Sequence, residues 1–265
     1  MSLIAFASAK GSPGVTTTAV AVTGSWPSDR RVLLAEFDPA GGDLAPRFGL
    51  QPDPGVVELG STHRRGLTAE TIWAHTQSLP GGIPVLVGPP SPEQALALRE
   101  FWTAAGPAMA TLPDTDVIMD CGRVGPNSPV VEVLHHAAIV VLVVRPDFEG
   151  ISHLRARLAR QLTSARTAVV LVGDRPYSAA EVAEVIEAKV AAVVADDPRA
   201  AALLGGHPGN QGTLRRSALM RSARELSQAL ATVALKPPPA GAPLRPDRPQ
   251  SPAVVHAARL HGAPR

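Results

Sequence analysis

Cysteine is nearly missing from this 265-residue chain. Cys121 is the only one, which excludes a disulfide framework and any cysteine-built metal cluster. Lysine is almost as scarce: Lys10, Lys189 and Lys236 stand against 22 arginines. Such a bias is expected of a GC-rich, alanine-rich coding sequence, and it draws attention to a lysine in a loop. Long hydrophobic runs are missing too. Residues 139–144 form one of the longest, far short of the ~20 residues that a membrane span needs. The opening Met-Ser-Leu-Ile-Ala-Phe has no basic stretch before its apolar residues and reads as a strand, not a signal peptide. Charged residues are only 18% and hydrophobic ones 45%, so most of the chain is expected to fold. A soluble, cytoplasmic protein is expected.

The net charge of +2 conceals an asymmetry. Residues 236–265 carry Lys236, Arg245, Arg248, Arg259 and Arg265 against Asp247, which makes that tail +4 and residues 1–235 −2. The alkaline pI of about 9.1 therefore says little about the body. It argues against a domain whose whole surface is built for nucleic acid. The tail is rich in proline and has little to bury, so two regions are expected: a folded body over 1–235 and a basic, Pro-rich, disordered tail over 236–265.

Within the body, short apolar runs alternate with helical patterns. Residues 3–8, 32–37, 83–88, 117–120, 139–144 and 168–172 are strand-length and rich in Val, Ile and Leu, with a further candidate at 190–194. Runs that are apolar throughout fit strands buried on both faces of a parallel sheet. Helices are predicted over 91–106, 151–162, 178–189 and 214–230; the third opens Ser-Ala-Ala-Glu, a capping-box pattern. The alternation predicts an α/β fold, a doubly wound, mostly parallel sheet with helices on both faces. Ligands of such sheets bind beyond the carboxyl ends of the strands.

The first strand ends in Ser-Ala-Lys-Gly-Ser-Pro-Gly-Val-Thr-Thr-Thr, residues 8–18, ahead of a helix. A phosphate-binding loop needs small residues so that backbone N–H groups converge on an anion. It also needs a helix N-terminus and a hydroxyl for magnesium. Gly11, Ser12 and Gly14 meet the first need, and Thr16 the last. Asp38 lies at the end of the second strand, within Glu-Phe-Asp-Pro, and Asp120 ends another, within Val-Ile-Met-Asp-Cys-Gly.

In these three segments the sequence resembles the ParA/MinD group of P-loop ATPases, which carry a deviant Walker A motif with an extra lysine. The resemblance runs to about residue 231 and implies the P-loop fold, ATP and Mg²⁺ as cofactors, and a homodimer. It gives Lys10 as the extra lysine, Thr16 as the magnesium ligand and Thr17 as its phosphate-contacting neighbour. It also gives Asp38 as the residue that positions the attacking water, and Asp120 as the Walker-B acid acting through water. Gly11, Ser12, Pro13, Gly14 and Val15 complete the loop. Asp174, just after the strand at 168–172, falls where relatives contact the base, although the usual Asn is absent. Glu36 stands where many relatives carry another acid, and an arginine partner would explain it equally well.

The departure lies at Val15, where the family has a lysine reaching the β- and γ-phosphates. A charge-stabilising group of this kind is worth ~10²–10³ in rate, and valine offers neither charge nor donor. Ala9 replaces a glycine and Pro13 removes one N–H. The expectation is therefore a positioning or scaffold protein with a degenerate nucleotide site, a pseudo-ATPase that organises a partner complex. The TadZ/CpaE-like localisation proteins of pilus and secretion systems are the nearest precedent. The alternative is an active partitioning ATPase, with Lys10 or Arg123 compensating for Val15 and with Arg215, Arg216, Arg221 and Arg224 binding DNA nonspecifically. A pure interaction module that binds no nucleotide is the third reading.

Overall fold

The computed structural model describes residues 2–234 apart from 12, 28, 126 and 160–165; the tail predicted over 236–265 lies outside the described residues. Strands are laid down first where apolar residues run unbroken. β1 (Ser2–Ser8) is buried at every position, and so are residues 139–144. Glycine in the left-handed region at Gly14 turns the chain from β1 into α1 (Val15–Thr23), and β2 follows at Arg31–Glu36. Three short helices, α2 (Leu44–Phe48), α3 (Val56–Thr62) and α4 (Ala69–Ala74), lead to a three-residue β3 (Gln77–Leu79) and β4 (Ile83–Leu86). Then come α5 (Pro92–Ala97), α6 (Arg99–Ala110), β5 (Thr115–Arg123), α7 (Val131–Leu134), β6 (Ile139–Val144) and α8 (Phe148–Ala159). The described chain ends with β7 (Arg166–Val172), α9 (Ala179–Ile186), β8 (Val190–Val194), α10 (Pro198–Leu204), α11 (Gln211–Arg215) and α12 (Ala218–Ala234).

The eight strands form one sheet in the order β3-β4-β2-β5-β1-β6-β7-β8, parallel except at β3. Alternation along β1 feeds two cores. Leu3, Ala5 and Ala7 face one with Phe37, Phe101, Trp102 and Met109; Ile4 and Phe6 face the other with Val20, Leu226 and Leu230. Each large side chain so buried contributes ~1.5–3 kcal/mol. Phe37, Phe101 and Trp102 also meet at tilted and edge-on angles, with centroids 5.0–5.9 Å apart, which fixes α6 under the end of β2. Among the described residues no helix is long and apolar enough to cross a membrane.

Two predicted helices are divided. The stretch 91–106 breaks at Leu98, because the Trp102 indole N–H donates to the Ala95 carbonyl at 2.9 Å and Leu98 N–H takes the same oxygen. The stretch 214–230 breaks at Ser217, whose hydroxyl accepts the Met220 N–H and starts α12. The capping box at Ser178 and Glu181 forms as expected.

At the amino ends of the strands a buried carboxylate is held from two sides. Asp116, 1% exposed, takes Trp26 Nε1 at 3.1 Å and Arg30 Nη2 at 2.6 Å. Arg30 also donates to the Ala231 carbonyl and thereby ties α12 to the sheet. Removing one member of a buried pair strands the other charge. Arg30→Ala is therefore expected to cost about 3–5 kcal/mol in urea unfolding; a loss under ~1 kcal/mol would show that this pair does not hold the helix.

Candidate nucleotide-binding site

The carboxyl ends of β2, β5 and β1 lie side by side, and register sets Glu36 opposite Asp120. Asp120 is fully buried. Its Oδ1 accepts the Gly122 N–H at 3.0 Å, while its Oδ2 has no hydrogen-bond partner. Burial raises the Asp120 pKa; the Thr16 hydroxyl and the Gly122 amide oppose that rise. The Thr16 hydroxyl thus stands near the carboxylate without completing a bond to Oδ2. An orphaned carboxylate oxygen in a dry position costs ~1–3 kcal/mol or more. A divalent cation between a hydroxyl and this oxygen would satisfy it, so Thr16 and Asp120 fit Mg²⁺ chemistry.

Glu36 is buried as deeply and is met differently. Its Oε1 accepts the N–H groups of Asp43 at 2.7 Å and Leu44 at 2.9 Å, and its Oε2 that of Gly88 at 2.9 Å. Among the described residues no arginine pairs with it; three amides take the place of the partner that the sequence suggested. Gly42 and Gly88 make room, since a Cβ on either would stand 2.3 Å and 2.9 Å from Glu36 atoms. Burial first, then the Asp120 charge, pushes the Glu36 pKa up to about 7 against the pull of the three amides. This clamp escaped the sequence reading; the paired Gly41-Gly42 and Gly88 were its faint signal.

Asp38 follows two residues on. Its Oδ1 accepts the Ala40 N–H at 2.7 Å in an Asx turn. A Cβ on Gly122, whose φ is +54°, would lie 1.9 Å from Asp38 Oδ2, so only glycine admits this approach. Burial drives the Asp38 pKa up to about 6; the Ala40 amide and Arg123 pull down, Asp120 and Asp43 push up. Arg123, exposed at the end of β5, is therefore close enough to Asp38 to be felt. Cys121 is a buried filler whose thiol pKa is raised by burial and by the neighbouring acids.

On the loop side, Gly14 caps α1 at φ 97°. Val15, the first helical residue, is 5% exposed and belongs to the apolar cluster of Phe6, Val141 and Val172. Its side chain serves packing; only its N–H is left for an anion. Thr18 Oγ1 donates to the Gly14 carbonyl at 2.8 Å and braces the turn. Pro13 is buried, Thr16 and Thr17 are half-buried, and Ser12 lies outside the described residues. Lys10 is exposed; with Gly11 and Pro13 it walls a cleft whose other side is Arg145, Asp147 and Glu149. Asp174 is exposed in the loop after β7. Thr16, Asp38 and Asp120 thus converge, while Lys10 and Asp174 flank them.

All three acids have raised pKa values, so the native state retains protons that the unfolded chain has lost. The stability this contributes is complete below the unfolded values and declines as pH rises through about 6 for Asp38 and about 7 for Glu36. Urea unfolding without Mg²⁺ should give a lower free energy at pH ~8 than at pH ~5, Glu36 accounting for on the order of 3 kcal/mol. Glu36→Gln should flatten the slope. A wild-type stability that increases over the interval would contradict this account.

No protein-family model and no curated protein matches the chain. Solved structures do. A ParA family ATPase from Chlorobium tepidum TLS superposes with a TM-score of 0.69 at 18% identity, covering 86% of this chain and 98% of that one. The septum site-determining protein MinD from Pyrococcus horikoshii OT3, complexed with Mg-ADP, gives 0.68 at 16%, covering 88% and 97%. A substituted Cyanothece McdA in complex with ATP gives 0.64 at 14%, covering 87% and 96%. With most of this chain and nearly the whole length of each relative superposed, this chain has the fold of the ParA and MinD P-loop ATPases.

Proposed function

We propose that this chain is a nucleotide-binding positioning or scaffold protein of the ParA/MinD type, with ATP hydrolysis weak or lost, organising a partner complex such as a secretion or pilus apparatus. The observation that carries the reading is Val15. A side chain that packs in the core at the start of α1 gives no cation to a triphosphate. Phosphate binding then falls to backbone N–H groups of residues 11–15, Pro13 excepted, and to the positive end of α1. Thr16 and Asp120 would hold Mg²⁺, which supplies charge neutralisation to phosphate oxygens when bound. Asp38, held by its Asx turn, would position water if hydrolysis persists. Thr17 would contact phosphate, and Asp174 would border the base.

The electrostatics support retention over turnover. Glu36, Asp38 and Asp120 crowd acidic groups where a triphosphate would add charge, and without a lysine at position 15 the offset falls to Mg²⁺ and the positive end of α1. Exposed Lys10 is free of the core and would reach a second copy's nucleotide in a homodimer. Partner capture by such a dimer needs binding and shape change but no fast chemistry.

Calorimetric titration of ATP–Mg²⁺ should find wild type at least ~10-fold weaker than Val15→Lys, with the fold of the variant checked by its unfolding midpoint. Affinity should drop in both when Thr16→Ala is added. Equal binding by wild type and Val15→Lys, or brisk phosphate release by wild type, would overturn the reading.

One observation favours a second reading, an active partitioning ATPase: Arg215 on α11, Arg216 in the link that follows, and Arg221 and Arg224 on α12 are all exposed. Under the first reading, ATP should not promote retention on duplex DNA at ~50 mM salt. ATP-dependent retention that weakens by a factor of ten or more at ~200 mM salt would favour the second.

A further inference from the structure

β6 stands between the strand that feeds the phosphate loop and the two strands beyond it. Ala7 of β1 pairs with Leu142 of β6, and the same offset carried three residues on sets Arg145 beside Lys10 as both chains leave the sheet. On the other side Val144 pairs with Leu171 of β7, and β7 pairs in turn with β8. The Arg145 guanidinium points that second way: Nη1 donates to Asp196 Oδ2 at 2.9 Å and Nη2 to Oδ1 at 3.5 Å. Asp196 follows β8, so the side chain spans two strand spacings, ~10 Å. Gly173, at the end of β7, leaves room there; a Cβ on it would stand 3.3 Å from Asp196 Cβ.

The loop is nearer to Arg145 than Asp196 is. It leaves β1, one strand spacing or ~5 Å from β6. Lys10, Gly11 and Pro13 wall a cleft of ≈ 110 Å³ together with Arg145, Asp147 and Glu149. Asp147 is engaged at the start of α8, where its Oδ1 accepts the Gly150 N–H at 2.7 Å, and Glu149 is exposed. Gly14 brings the far end of the loop toward the same strands, since a Cβ on it would stand 3.9 Å from Val172 Cγ2. The Arg145 and Asp196 side chains are 46% and 41% exposed. Water competes for both members of such a pair, so the pair opens easily. A phosphate offers a guanidinium two oxygens and more charge than one carboxylate.

We propose that Arg145 is a phosphate-binding residue of this chain. When nucleotide enters, its guanidinium leaves Asp196 and takes phosphate oxygens at the loop, supplying from β6 a cation that position 15 does not. Asp196 opposes binding, because it holds the guanidinium while the site is free. This role rests on the nucleotide-binding reading of Thr16 and Asp120 and adds to it a side chain that the sequence did not single out. It makes the two members of one ion pair act with opposite sign, which a bridge serving only the fold does not do.

The test is calorimetric titration of the full chain with ATP–Mg²⁺ and with Mg²⁺–tripolyphosphate, which carries neither base nor ribose. Arg145→Ala should weaken both about tenfold. Asp196→Ala should tighten both about two- to fivefold and should change nothing once Arg145→Ala is present. In a Val15→Lys background the loss caused by Arg145→Ala should be smaller than in wild type. Weaker binding by Asp196→Ala, binding indifferent to Arg145→Ala, or a loss confined to ATP would each overturn the proposal, provided the variants retain the wild-type unfolding midpoint. Binding by Val15→Lys but not by wild type would overturn it too, since Arg145 would then supply no cation. Binding by neither would instead sink the nucleotide reading itself, and this role with it.

Discussion

Carboxylates drawn together where water is excluded govern one end of this sheet. Glu36 and Asp120 are opposed across β2 and β5, and Asp38 closes the group from the next loop. Desolvation raises the pKa of each, yet each is satisfied to a different degree. Glu36 takes three amides, Asp38 takes one and leans on Gly122, and Asp120 keeps one oxygen unmatched. The geometry of the neighbouring loops follows from this. Gly42, Gly88 and Gly122 are small because carboxylate atoms occupy the space a Cβ would need. The aromatic trio under Phe37 keeps the end of β2 from yielding to the repulsion.

That arrangement makes the identity of residue 15 consequential. Under the proposed function, a phosphate beside three acids would be balanced by a cation at position 15 or by a metal ion, with Lys10 and the positive end of α1 as further contributors. Val15 removes the first by joining the core of Phe6 and Val141. The second would fit between Thr16 and the unmatched oxygen of Asp120. The proposed role in binding and positioning rests on these features.

The opposite end of the sheet is organised by a different constraint, a mismatch in strand length. β7 starts three residues before β8, and the bulge at Ala191 widens the step. α12 spans it, tied down by Arg30 and by Arg166 through backbone carbonyls near its end. The two ends thus differ in character, one holding clustered acids, the other an apolar hollow lined in part by Arg166.

Much of the architecture was legible in the residues alone. Runs such as 139–144 are apolar at every position because both faces of a central parallel strand are covered, and the Ser178 box announces its helix through its own side chains. Asp38 was likewise placed at the end of its strand by the run before it, whereas Asp120 lies inside β5, which continues to Arg123. The breaks at Leu98 and Ser217, the three-residue β3 and the short helices α2 to α4 were not, since periodicity needs more residues than these elements contain. Sequence also determined that residue 15 carries no charge. Only tertiary structure decided that it packs in the core, that Glu36 is met by amides seven, eight and 52 residues away, and that a register step opens a hollow under α12. Local pattern records which face of an element is apolar. It does not record which distant backbone will arrive beside a buried charge, because that is settled by the packing of the whole sheet.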